Sequence, residues 1–160
     1  MSFIVVGIAE YKFARPPSNL ITYGLGSCVA IVLYSSEDIL GCMAHVMLPF
    51  AYKDQENEAP GKFADSAVAI MMREMEIRGI VPSRIVGKIA GGADMFAGQF
   101  KGSSRCIGAR NILAAHKTLD KFGICLVAQD VGGTAGRSVE FNSENGLFTV
   151  RTLRGEVKEL

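Results

Sequence analysis

Two unbroken apolar runs, residues 28–34 (CVAIVLY) and 39–48 (ILGCMAHVML), lie either side of the polar Ser35-Ser36-Glu37-Asp38. Their length and β-branched content predict a β-hairpin, and Pro49 ends its second strand. Both faces of each strand are apolar, so the hairpin belongs in a sheet covered on both sides, within a layered arrangement of strands and helices. Shorter strands are predicted over 3–9 and 19–23, separated by Arg15-Pro16-Pro17. Beyond the hairpin, the polar residues 53–58 read as a solvated loop. A helix over 63–78 follows, with Ala64, Ala67, Val68, Met71, Met72 and Met75 at helical spacing and Gly79 as its C-terminal cap. The methionine stripe reads as core. A strand over 84–90 ends at Gly91-Gly92, a second helix over 109–122 closes at Gly123, and a strand spans 124–129. The last hairpin pairs 139–141 with 147–150 around Asn145-Gly146.

Composition adds bounds. A chain of 160 residues, 49% apolar and 21% charged, is expected to form one globular domain over 1–160. Seventeen basic and sixteen acidic side chains leave a net charge of +1 without a basic run, which argues against nucleic acid or an anionic membrane as partner. No stretch reaches the roughly 18 consecutive apolar residues of a membrane span, and no basic leader opens the chain, so a cytoplasmic protein is expected. Cys28, Cys42, Cys106 and Cys125 form no C-x-x-C pair, and His45 and His116 are the two histidines. Neither disulfides nor a metal site nor another cofactor is expected, and three of the thiols are expected to fill core.

The exception is Cys28, which follows Gly24-Leu25-Gly26-Ser27 directly. Cysteine in an apolar strand is ordinarily packing. Glycines before it let the backbone turn and present N–H groups, and those around Gly26, Ser27 and Cys28 suit a developing oxyanion. If residues 35–38 are the loop, facing residue numbers in the hairpin sum to 73, and Cys28 faces His45. Opposed Cβ atoms lie about 4.5–5.5 Å apart, within reach of a thiol–imidazole contact. A slip of one residue would separate the pair onto opposite faces, whereas a slip of two leaves them diagonal neighbours. An imidazolium beside the thiol would lower its pKa and supply thiolate. Thr22, six residues earlier, is the candidate to orient the ring, because its hydroxyl or carbonyl can accept the second ring N–H. His116, beside Ile112 and Leu119, reads as a core histidine.

Six segments in order, TYGLGSCVAIVLY, AHVMLP, KIAGGADMF, IGARN, DVGGTAGRSVEF and NGLFTVRT, cover most of the chain and resemble the CheD family of chemoreceptor glutamine deamidases. The resemblance implies Cys28 as nucleophile, His45 as its partner and Thr22 as the third member of the site. It implies hydrolysis of selected glutamine side chains in the cytoplasmic helices of methyl-accepting chemotaxis receptors, releasing ammonia. Some family members also hydrolyse receptor methyl esters. The implied fold is a layered α+β domain with a mixed or antiparallel sheet and two main helices, resembling toxin-type cysteine deamidases. Family members bind CheC, a phosphatase acting on phosphorylated CheY. A regulatory binding module for CheC is therefore the alternative, with Met95 and Phe96 of the glycine-flanked segment 91–96 as the contact. The segment 132–137 (GGTAGR) lacks the lysine of a phosphate loop and reads as a tight structural turn.

Overall fold

In the computed structural model, which describes residues 1–52, 58–96 and 106–160, the strands are β1 (Ser2–Val5), β2 (Tyr11–Ala14), β3 (Ser18–Leu25), β4 (Val29–Ser35) and β5 (Leu40–Val46). Helix α1 (Ala64–Ile77), β6 (Val86–Gly91), helix α2 (Ile107–Lys121), β7 (Cys125–Val131), β8 (Arg137–Asn142), β9 (Phe148–Thr152) and β10 (Val157–Glu159) follow. Of the polar stretch expected as a loop, residues 53–57 lie outside the described residues. The strands form two five-stranded sheets in the orders β1-β3-β8-β9-β10 and β2-β5-β4-β6-β7. Both mix parallel and antiparallel pairs, and with two segregated helices the class is α+β.

The layering follows from the apolar pattern. One face of β4 and β5, with Ile31, Leu33, Cys42 and Ala44, packs under the methionines of α1 and under Ala114, Ala115 and Leu119 of α2. The opposite face, with Ala30, Val32 and Met43, meets Leu20, Phe141, Phe148 and Val150 of the other sheet. Covered on both sides, every residue of β4 and β5 is buried, as the continuous apolar runs require. Helix α1 ends where Gly79 was expected to cap it, with the N–H of Ile80 donating to the carbonyl of Met75 at 3.0 Å.

Three differences bear on the site. The hairpin pairs Ala30 with His45 and Ser35 with Leu40, so facing numbers sum to 75 rather than 73. Ser35 stays in the ladder because Asp38 satisfies its hydroxyl at 2.6 Å, and Ile39 closes the turn at φ +49°. Second, the N-terminal strands divide between sheets: β1 and β3 join one, while β2 crosses to β5 in the other. Third, of the three thiols expected as filler, Cys42 alone is fully buried; Cys106 is partly exposed and Cys125 exposed. The C-terminal β10 was not anticipated, being three exposed residues without an apolar pattern. No helix among the described residues is long and apolar enough to cross a membrane.

Candidate active site

Cys28 sits at the open end of the central hairpin, one residue before β4 begins. Its carbonyl accepts the N–H of Gly92 at 2.8 Å, which extends the β4–β6 pairing past the end of the β4–β5 ladder. Gly91, at φ +113°, permits this approach: a Cβ there would collide with the Cys28 carbonyl oxygen. With facing residues summing to 75, His45 opposes Ala30, and Cys28, one residue outside the ladder, precedes that partner by two residues instead of facing the histidine. The two-residue slip preserves the face. Cys28 packs against the core between the sheets, and His45 reaches across that same space.

His45 is fully buried. Its Nδ1 lies 2.8 Å from the Thr22 hydroxyl oxygen, and that hydroxyl donates to the carbonyl of Val6 at 2.6 Å. The Val6 carbonyl can only accept, so the threonine proton is committed to it and the threonine oxygen must accept from Nδ1–H. The neutral ring therefore carries its proton on Nδ1 and leaves the lone pair on Nε2. That atom is buried with no hydrogen-bond partner. Thr22 belongs to one sheet and His45 to the other, so the sandwich itself assembles the chain of contacts. A bulge between Thr22 and Leu25, with Gly24 at φ +68°, then bends β3 away into the loop that leads to Cys28.

Burial pushes the Cys28 thiol above its ordinary pKa and pulls His45 below its own. Both shifts favour the neutral pair. They run against the expected imidazolium beside a thiolate, because desolvation disfavours the charged form of each group.

The surrounding loops brace this geometry. The N–H of Ala93 donates to the Gly26 carbonyl at 2.8 Å, and the Gly26 N–H turns back to Gly24 at 3.1 Å. The 132–137 segment supports the 91–94 loop from behind, through Gly132 N–H to the Gly91 carbonyl and Asp94 N–H to the Gly133 carbonyl. Arg137 fastens that segment with one bond to the Gly132 carbonyl at 2.7 Å and an ion pair to Asp130 at 3.1 Å. The glycine-rich turn thus has a structural task. Met95 lies across Gly26, where a Cβ would come 3.3 Å from its Cγ, and Met95 and Phe96 remain 48% and 61% exposed. Ser27 joins Gly26 to Cys28, and its carbonyl accepts from Asn111 of α2. Among the described residues no three histidine, cysteine or carboxylate side chains converge to hold a metal ion.

Residues 47–152 match the family described as CheD chemotactic sensory transduction. A protein from Geobacter metallireducens, "Probable chemoreceptor glutamine deamidase CheD 2", is 46% identical over 158 residues, 98% of each chain. The chain belongs to the CheD family. "Chemoreceptor glutamine deamidase CheD" from Thermotoga maritima is 44% identical over 160 residues, again 98% of each chain. A Geobacter sulfurreducens relative, "Probable chemoreceptor glutamine deamidase CheD 3", is 44% identical over the whole of both chains.

Within this CheD chain, Asn111 is the site residue that the reading of spacing missed, although it closes the IGARN segment. A buried asparagine on an amphipathic helix carries no signal of where its amide points. His116 also departs from expectation: it is half-buried and pairs with Gln129 at 2.7 Å instead of filling core.

The depressed pKa of His45 has a consequence for stability. A histidine held neutral by burial binds fewer protons folded than unfolded, so its contribution is full above the unfolded value near 6.5 and is lost as pH falls through that value toward the folded one. Thermal midpoints of the wild type are expected to drop between pH 7 and pH 5, with a limiting slope of about 1.4 kcal/mol per pH unit for one proton. His45→Gln should flatten that drop. A wild-type midpoint independent of pH over this range would contradict burial of a neutral ring.

Proposed function

We propose that this protein hydrolyses the side-chain amide of glutamines in chemoreceptors, with Cys28 as nucleophile, His45 as general base and acid, and Thr22 as the residue that orients the ring. The observation that carries the reading is the chain from Val6 through Thr22 to His45, which leaves the buried Nε2 as an unpartnered lone pair. The relatives, named as chemoreceptor glutamine deamidases, suggest the substrate.

The reaction balances with these groups alone. As the Cys28 sulfur attacks the carboxamide carbon, its proton passes to His45 Nε2. The oxyanion takes up the N–H groups of Ser27 and Cys28; the Gly26 N–H is already spent on Gly24, so Gly26 contributes the turn and the space. His45 returns the proton to the leaving nitrogen, ammonia departs, and a thioester remains. Water, deprotonated by His45, attacks the thioester, yielding glutamate and the free thiol. Receptor methyl esters fit the same acyl route, with methanol as the leaving group. The substrate segments are the cytoplasmic receptor helices, so the protein acts in the cytoplasm. Mass spectrometry of a receptor cytoplasmic fragment incubated with the protein is expected to show a gain of about 1 Da at particular glutamines, because water must release the acyl-enzyme. Unchanged glutamines after long incubation would defeat the reading.

A second role is supported by the exposed Met95 and Phe96 at the rim of the cysteine loop: docking of a regulatory partner, with CheC as the candidate from the family resemblance. Phe96→Glu should weaken that binding at least about tenfold in calorimetry, because a charge enters an apolar contact. Cys28 should stay reactive toward iodoacetamide in the variant. Unchanged binding would remove Phe96 from the docking surface.

A further inference from the structure

We infer that Asn111 of α2 is a positioning residue for the reaction, which holds the strand entering Cys28 at a fixed separation from the strand leaving His45. Its amide nitrogen donates to the Ser27 carbonyl at 2.9 Å and to the Met47 carbonyl at 3.0 Å. These carbonyls belong to the residue before Cys28 and the second residue after His45. The β4–β5 ladder stops at Val29 opposite Val46, so beyond it no ladder bond sets the spacing of the two chains. One nitrogen bonded to both carbonyls sets it instead.

The orientation of the amide follows from its surroundings. Turned over, Asn111 would set its own oxygen against two carbonyl oxygens, three acceptors without a proton among them. In the observed orientation both N–H groups are used, while Oδ1 is buried without a partner. An orphaned oxygen is unfavourable in a residue that serves only packing, which a leucine would do without a polar atom. Helix α2 is also docked closely enough to hold the amide in place. Gly108, one turn before Asn111, lies so near the carbonyls of Gly92 and Ala93 that a Cβ would collide with both, and these residues donate to the Cys28 and Gly26 carbonyls. Asn111 thus reaches the cysteine loop from one side as the 91–94 segment grips it from the other.

The inference rests on the reading of Cys28 and His45 as nucleophile and base. Asn111→Leu, which removes both donors without adding charge, is expected to lower kcat for glutamine conversion at least about thirtyfold with KM within about threefold, because geometry in the transition state is lost and substrate contacts are not. Iodoacetamide labelling of Cys28, followed by peptide mass spectrometry because Cys125 and Cys106 are accessible, should slow about tenfold. In a His45→Ala background the same substitution should change labelling less than about twofold, since the distance it controls no longer matters. Additive losses in that background, or a folded Asn111→Leu with wild-type kcat, would overturn the inference. Should the variant fail to fold, the wild type decides: the two Asn111 side-chain amide protons should exchange far more slowly than those of an exposed asparagine, and rapid exchange would overturn it too. Loss of conversion in Cys28→Ala alongside unaffected Asn111 variants removes this inference alone, whereas full conversion by Cys28→Ala removes the nucleophile and with it the basis for both.

Discussion

Cys28→Ala is expected to bring conversion of receptor glutamines down to the uncatalysed background, a loss of at least about a thousandfold, with the fold intact. The substitution removes a half-buried sulfur and keeps the backbone, so the Cys28 carbonyl still accepts from Gly92 and the entry to β4 is unchanged. The amide carbon then has no nucleophile, because the proposed mechanism brings water to the thioester only after ammonia has left. Far-UV circular dichroism and the thermal midpoint serve as controls, and the mass of receptor peptides is the readout. A variant that kept more than about a hundredth of wild-type turnover would show that the thiol is not the attacking group.

His45→Ala is expected to cost about a hundredfold to ten-thousandfold in kcat, the range of general acid–base catalysis, since in the proposed mechanism one imidazole both accepts the thiol proton and delivers it to the leaving nitrogen. The pH dependence should follow the burial of the ring. Nε2 acts as a base only when the ring is neutral, and burial lowers the pKa, so wild-type activity should persist below the usual histidine value near 6.5 before falling on the acid side. Thr22→Val should behave more mildly. It leaves Nδ1–H and the Val6 carbonyl unpaired, a disturbance of about 1–3 kcal/mol, but the base itself remains. A His45→Ala variant turning over within threefold of wild type would exclude proton transfer through this ring. A loss in Thr22→Val equal to that in His45→Ala would mean that orientation and basicity cannot be separated here.

The register of the hairpin shows how far local pattern carries. The two-residue error in the sum rule arose because Ser35 was read as loop and Ile39 as strand, yet Ser35 remains in the ladder with its hydroxyl satisfied by Asp38, and Ile39 lies in the turn. An even slip does not by itself send cysteine and histidine to opposite faces, because side chains in a strand alternate with period two. Thr22 was legible as a candidate from its proximity in sequence to Cys28 and from the family resemblance. Nothing local says that β3 lies in the opposite sheet, where its hydroxyl meets the ring across the core.

The electrostatic state of the site was not legible. Sequence chemistry suggested an ion pair, but how much water a thiol and an imidazole lose depends on which surfaces close over them. Burial disfavours the charged form of both groups, raising the Cys28 thiol and lowering His45 from their ordinary values.

By itself the sequence determined the doubly covered central hairpin, both helices, the cap of α1 and the candidates Cys28 and His45, because each is written in apolar periodicity or turn chemistry within a few residues, whereas the short strands β2 and β10 carry no such pattern. Tertiary structure alone decided the division of strands between two sheets, the proton on Nδ1 and the contact of Asn111 with the cysteine loop. Those features join residues from 16 to 84 positions apart, and a hydrogen bond over that separation depends on how sheets and helices dock, which periodicity along the chain does not encode.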